Sequence, residues 1–189
     1  SITKWGDTIA ICDEVLQQLD QKPSVSKVLK NAFLHQKAIS LFMLQDYEAA
    51  SEIAAQSIKN VKKGTYNWFK GMEVQLYIKF HQKCYVSCWK IYKSSTRHAQ
   101  FSHMSDAIKE PWRIYYAYLS FISSLGKLEL SSREKGAIKK YRLGKFLNEV
   151  PIFSKDKRGY NIPILIVQVL YLLLEKKYNR LENRLEVLR

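Results

Sequence analysis

AFLHQKAISLFMLQDYEAASEIAAQSIKN, residues 32–60, decides how the rest of the chain is read. Ala38, Leu41 and Phe42 precede Gln45-Asp46, and Ala49, Ala50, Ile53, Ala54, Ser57 and Ile58 follow it at helical spacing, so the stretch predicts two short amphipathic helices joined at 45–46. Each has one face to bury. The small residues Ala38, Ala50 and Ala54 matter because helices approach to roughly 8–10 Å only where side chains at the crossing are short. Tyr47 then stands as a wedge at the bend, its ring in the hairpin and its hydroxyl near water.

The spacing Ala38, Tyr47, Ala50, Ala54 recurs as Leu76, Tyr85, Cys88, Tyr92 and as Val169, Tyr178, Leu181, Leu185. A weaker copy, Leu119 and Leu128 with Gly126-Lys127 at the turn, falls between them. This arrangement resembles the tetratricopeptide repeat, which places a small residue in its first helix, an aromatic just after the turn, and a small and then a larger residue in the second helix. The glycine the family often carries before its turn is absent at 45–46. Successive junctions at 47, 85, 128 and 178 are 38, 43 and 50 residues apart, against roughly 34 in regular arrays. The resemblance therefore implies divergent repeats. It implies an all-α fold of stacked antiparallel helical hairpins, a right-handed α-solenoid of roughly seven to nine helices, as one domain over residues 1–189. It also implies a non-enzymatic scaffold whose first helices line a groove for a peptide. On that geometry His35, Ile39 and Phe42, then Lys70, Glu73 and Tyr77, then Arg113, Tyr116 and Ser120 face the groove.

Composition agrees with a folded, helix-rich chain: 47% hydrophobic residues with only 7 Gly and 4 Pro argue against disorder and against a β-rich fold. The formal net charge of +14, from 31 Lys+Arg against 17 Asp+Glu, draws acidic proteins, nucleic acid or anionic membranes, and also keeps a protein soluble. Three cysteines, at 12, 84 and 88, sit in apolar helical contexts and point to reduced thiols in a cytoplasmic compartment. No secretory apolar segment opens the chain. It begins without Met and ends at Arg189 inside a helical pattern, as a fragment of a longer chain would.

Residues 3–21 predict an amphipathic helix with Trp5, Ile9, Cys12, Leu16 and Leu19 inward and Asp13, Glu14 and Asp20 outward. Pro23 ends it. A hairpin follows over about 24–61, then helices over 66–82 and 85–94. Gly71 in the former costs about 1 kcal/mol relative to Ala and would allow close helix contact. SSTRHAQFSHMSD, 94–106, reads as a helix end plus loop, so the third pair begins near Pro111, with a second helix from Ser131 to about Asn148. A loop at 150–160 leads to the last pair. Its first helix, IPILIVQVLYLLL, is apolar apart from Gln168. It is well short of the ~20 residues a bilayer span needs, and is expected to be the most buried helix.

No phosphate-cradling glycine loop, nucleophile elbow or helix-borne HExxH occurs, so no enzyme activity, cofactor or metal is expected. His81, Cys84 and Cys88 are spaced three and four apart and would share a helix face, but structural zinc takes four ligands, usually from Cys pairs on turns. Cys88 takes the place of the repeat's small packing residue, which is reason enough for it. The segment 131–160 carries Arg133, Lys135, Lys139, Lys140, Arg142, Lys145, Lys155, Lys157 and Arg158 against three acids. With Tyr141, Phe146, Phe153 and Tyr160 beside them these suit a nucleic-acid backbone. A solvated basic face over core aromatics fits the same residues. The leading expectation is a peptide or acidic protein in the groove, and the alternative is nucleic acid on the 131–160 segment.

Overall fold

Four helices end on a residue in the left-handed region: Gln45 (φ 64°), Lys83 (φ 58°), Gly126 (φ 71°) and Lys176 (φ 56°). In each case that residue's N–H donates three residues back and the next N–H donates five residues back. The pairs are Gln45 to Phe42 (2.9 Å) with Asp46 to Leu41 (3.0 Å), and Lys83 to Phe80 (3.0 Å) with Cys84 to Lys79 (2.9 Å). The same holds for Gly126 to Ser123 (3.0 Å) with Lys127 to Ile122 (3.1 Å), and for Lys176 to Leu173 (3.0 Å) with Lys177 to Leu172 (2.9 Å). This Schellman ending satisfies carbonyls that a helix's last turn leaves open and turns the chain out of the helix.

A computed structural model describes residues 2–21, 27–59, 61–131 and 159–186, with isolated positions 134, 138 and 144. The described residues are all-α, without a strand, in eight α-helices. These are α1 (Ile2–Asp20), α2 (Lys27–Met43), α3 (Tyr47–Lys59), α4 (Tyr66–His81), α5 (Tyr85–Thr96), α6 (Asp106–Ser124), α7 (Asn161–Leu174) and α8 (Tyr178–Glu186), with a 3-10 turn at Ala99–His103. Three of the four bends are followed, two residues on, by a helix that opens on tyrosine: Tyr47, Tyr85 and Tyr178. The fourth departs from the predicted repeat, because Leu128 and Leu130 are buried in a non-helical run after Gly126 and open no helix. By its contacts the chain divides into two compact units, Ser1–His103 and Met104–Arg189, each described by itself.

In the first unit α1 packs on α2, α2 on α3, α3 on α4 and α4 on α5, and α2 also touches α4. Ala38, Ala50, Ala54 and Ile78 form a cluster with Leu41, Phe42, Tyr47, Ile53 and Val74 packed against it. The three alanines lie at the α2–α3 crossing, where small side chains permit close approach. Gly71 does the same between α3 and α4: a Cβ there would lie 2.1 Å from Ile58 Cγ2. Cys12 and Leu16 are buried, while Asp13 and Asp20 pair with Lys37 and Lys30 of α2. These pairs are solvent-exposed on the acid side, so each contributes at most about 1 kcal/mol. The acidic helix is therefore held mainly by its apolar face.

In the second unit Ile114 and Ala117 of α6 pack with Ile164, Val167 and Tyr171 of α7. Two hydrogen bonds cross this interface in opposite directions: the Tyr118 hydroxyl donates to Pro163 O (3.1 Å) and the Tyr171 hydroxyl to Ala117 O (3.1 Å). Two expectations need correction. The third pair begins at Asp106, not near Pro111, because Ser105 is extended (φ −62°, ψ 157°) and its carbonyl accepts from Ile108 and Lys109, which starts the helix earlier. Pro111 then lies inside α6 with its ring fully buried, so packing offsets the missing N–H. Nor is α7 buried all round, since Ile162, Ile166, Leu173 and Leu174 are exposed, while Gln168 is buried and its amide has no hydrogen-bond partner among the described residues.

The bends give a pair of substitutions of opposite sign. Left-handed backbone costs a non-glycine residue about 1 kcal/mol, and nothing lies within 4 Å of a Cβ added at Gly126. Gly126→Ala is therefore expected to lower stability by about 1 kcal/mol through backbone conformation alone, and Lys83→Gly to raise it by up to about 1 kcal/mol. Urea unfolding followed by circular dichroism reads both, and a loss in both variants contradicts the shared ending.

Candidate functional site

Lys27, Asn31 and His35 recur every fourth residue along α2 and so form one polar row. Facing them, the start of α4 is fixed by Thr65, whose hydroxyl oxygen accepts from Trp68 N–H (3.4 Å) and whose hydroxyl donates to Lys62 O (2.8 Å). Between these elements and the end of α3 lies an open cleft of about 510 Å³. Lys27, Lys62, Lys70 and His35 supply its basic groups, Asn31 and Asn67 its amides. Val28, Ala32, Ile58 and Val61 give it apolar walls. Among the described residues no Asp or Glu lines it.

Glu73, one turn beyond Lys70 on α4, is buried and accepts from Lys70 Nζ at 2.5 Å. It offsets Lys70 from behind the cleft. Burial lowers the His35 pKa below its usual 6.5, the Lys70 ammonium lowers it further, and Glu73 acts in the opposite sense. At neutral pH His35 is thus an uncharged imidazole. The cleft combines Lys27 and Lys62 with a partly offset Lys70, an excess of about two positive charges on this reckoning.

The expected groove residues are placed unequally. His35 and Lys70 come together in the cleft, with Glu73 behind them. Phe42 is turned into the hairpin, 5.7 Å from Tyr47 and 4.8 Å from the edge-on His81 ring, a packing role that its position at the end of α2 imposes. Tyr77 is exposed on α4 outside the cleft lining. Arg113 and Tyr116 are half-buried on α6 in the other unit. Tyr116 lies close enough to Tyr171 to act with burial in raising its pKa. Ser120, on the same helix, is buried. The basic residues Arg133, Lys139, Lys140, Arg142, Lys145, Lys155, Lys157 and Arg158 lie outside the described residues.

Lys27 and Lys62 were not among the expected site residues. Lys62 is in the turn between α3 and α4, and only the fold brings it to the same cleft as Lys27. His81, Cys84 and Cys88 do not share a helix: His81 ends α4, Cys84 precedes α5, and Cys88 is buried with its thiol toward Leu76 O at 3.9 Å. Among the described residues no group of three His, Cys, Asp or Glu is placed to hold a metal ion. No described helix is long and apolar enough to cross a membrane. Compared with protein-family models, curated proteins and solved structures, the chain matches none.

His35 makes stability depend on pH. Its folded pKa is below 6.5, so the unfolded chain takes up the proton more readily. Its contribution is complete above 6.5 and is lost as pH falls through the folded value. Urea midpoints of wild type are expected to fall more steeply on acidification than those of His35→Gln; equal slopes contradict the burial. The thiols give a second readout. Cys84 is exposed, burial pushes Cys88 up to about 12, and burial followed by the Asp13 carboxylate raises Cys12. A thiol reagent is expected to modify Cys84 rapidly in the native chain, and Cys84→Ser to remove that fast phase.

Proposed function

We propose that the chain is a non-enzymatic, cytoplasmic interaction module that binds an acidic segment of a partner protein in the cleft between α2, α3 and α4, within a tetratricopeptide-like stack of hairpins. The observation that carries this reading is the lining of the cleft: Lys27, Lys62, Lys70 and His35 with no described carboxylate. Support for the hairpin plan comes from the three bends whose left-handed residue is followed two positions later by a helix opening on tyrosine. The net charge of +14 extends the same preference over long range and speeds encounter with acidic partners.

Lys27 and Lys62 are exposed and have no structural ion pair among the described residues, which makes them suitable for charge reversal without unfolding. A fluorescent Glu-rich peptide is expected to bind the wild-type chain saturably at low salt, and the Lys27→Glu/Lys62→Glu variant at least about tenfold more weakly, or about 1.4 kcal/mol. Equal affinity of the two proteins sinks the cleft as the site. Single-stranded RNA in the same assay addresses the basic 131–160 segment: RNA binding that ignores Lys27 and Lys62 favours that segment instead.

A further inference from the structure

We infer that the group recognised in this cleft is a phosphoryl dianion, carried on a phosphorylated side chain of the partner. The inference rests on the cleft being the partner site proposed above and narrows the chemistry of what enters it.

Charge balance is the first argument. Lys70 is partly offset by Glu73 at 2.5 Å, and His35 is neutral, so the cleft's excess resides on Lys27 and Lys62. A single carboxylate leaves one of these uncompensated. A phosphate monoester carries about −1.5 to −2 at neutral pH and compensates both. The cleft also offers more donors than one carboxylate uses. Two lysine ammoniums, the Asn31 and Asn67 amides and the first turn of α4 all open on one space. Thr65 accepts from Trp68, and Phe69 N–H reaches Thr65 O, so the helix's own bonds leave Tyr66 and Asn67 N–H for other acceptors. Three phosphate oxygens use such a set more fully than two carboxylate oxygens.

The walls select the carrier. No aromatic ring is among the described lining residues, so the cleft offers a nucleobase nothing to stack on. Val28, Ala32, Ile58 and Val61 instead give an apolar flank for the side chains beside a modified residue. The volume, about 510 Å³, admits one phosphorylated side chain and part of its neighbours. A segment of extended peptide fits these features better than a nucleotide.

The test uses the full chain and three labelled peptides that differ at one central position: phosphoserine, glutamate or serine. Fluorescence anisotropy is expected to give at least about tenfold tighter binding for phosphoserine than for glutamate, with inorganic phosphate displacing the phosphopeptide at constant ionic strength. The Lys27→Glu/Lys62→Glu variant is expected to lose the preference, and its unchanged circular dichroism establishes that it is folded. Equal binding of the phosphoserine and glutamate peptides overturns the phosphoryl inference while leaving the acidic-partner reading in place. Failure of the phosphopeptide together with binding of the Glu-rich peptide does the same. Failure of both removes the two readings together, and a preference that survives the double charge reversal places any phosphate site elsewhere.

Discussion

A single backbone constraint sets where four of the described helices stop: one residue forced into left-handed geometry, closed by a pair of hydrogen bonds from its own N–H and the next. Glycine takes this geometry without strain, yet Gln45, Lys83 and Lys176 adopt it with full side chains. Local preference alone would not hold them there. The packing that follows does: Tyr47, two residues after Gln45, is clasped between Phe42 and His81, and its carbonyl accepts from the Gln82 amide at 3.1 Å. The end of α4 is thus tied to the bend between α2 and α3. At this bend Gln45 and Tyr47 act together, one redirecting the chain and the other anchoring the new direction.

The cleft lies at the turn between α3 and α4. Because α2 and α4 run on either side of α3 and touch each other, the polar row Lys27, Asn31, His35 comes to face Thr65, Asn67 and Lys70. The Gly71–Ile58 approach pulls the end of α3 down to form the floor. Positive charge then accumulates where the carboxylates of the region are already committed. Asp13 and Asp20 are paired with Lys37 and Lys30, and Glu73 is turned inward against Lys70. The cleft's described lining carries Lys27, Lys62 and Lys70 and no carboxylate, and the nearest acid on α4, Glu73, is held by Lys70.

Much of this was legible in the sequence for identifiable reasons. The recurring spacing put Tyr47, Tyr85 and Tyr178 just after turns, and helices open on all three, since an aromatic after the turn with helical spacing beyond it leaves a periodic trace. The start of α6 was not legible: Pro111 is a common first-turn residue, and the weaker signal of Ser105 lay in a polar run that resembles a loop. Exposure along α7 was hidden because apolar residues all round a helix cannot say which face is covered. Of the cleft lining, His35 and Lys70 are also residues that the tetratricopeptide resemblance turns toward a groove, whereas Phe42 packs inside the hairpin, since one apolar residue near a helix end fits a groove or a hairpin interior equally well. Lys62 had no signal, because a turn lysine is ordinary until the fold shows what lies across from it.

The helices of the first unit pack chiefly on their neighbours along the chain, α1 on α2 through α4 on α5. Mean sequence separation between touching residues is therefore short, and the loop-closure entropy to be overcome at each step is small. A chain of this kind has little need to wait for its distant parts. As it leaves the ribosome, the hairpin of α2 and α3 can close while later segments are still being translated, shielding its apolar face before aggregation competes.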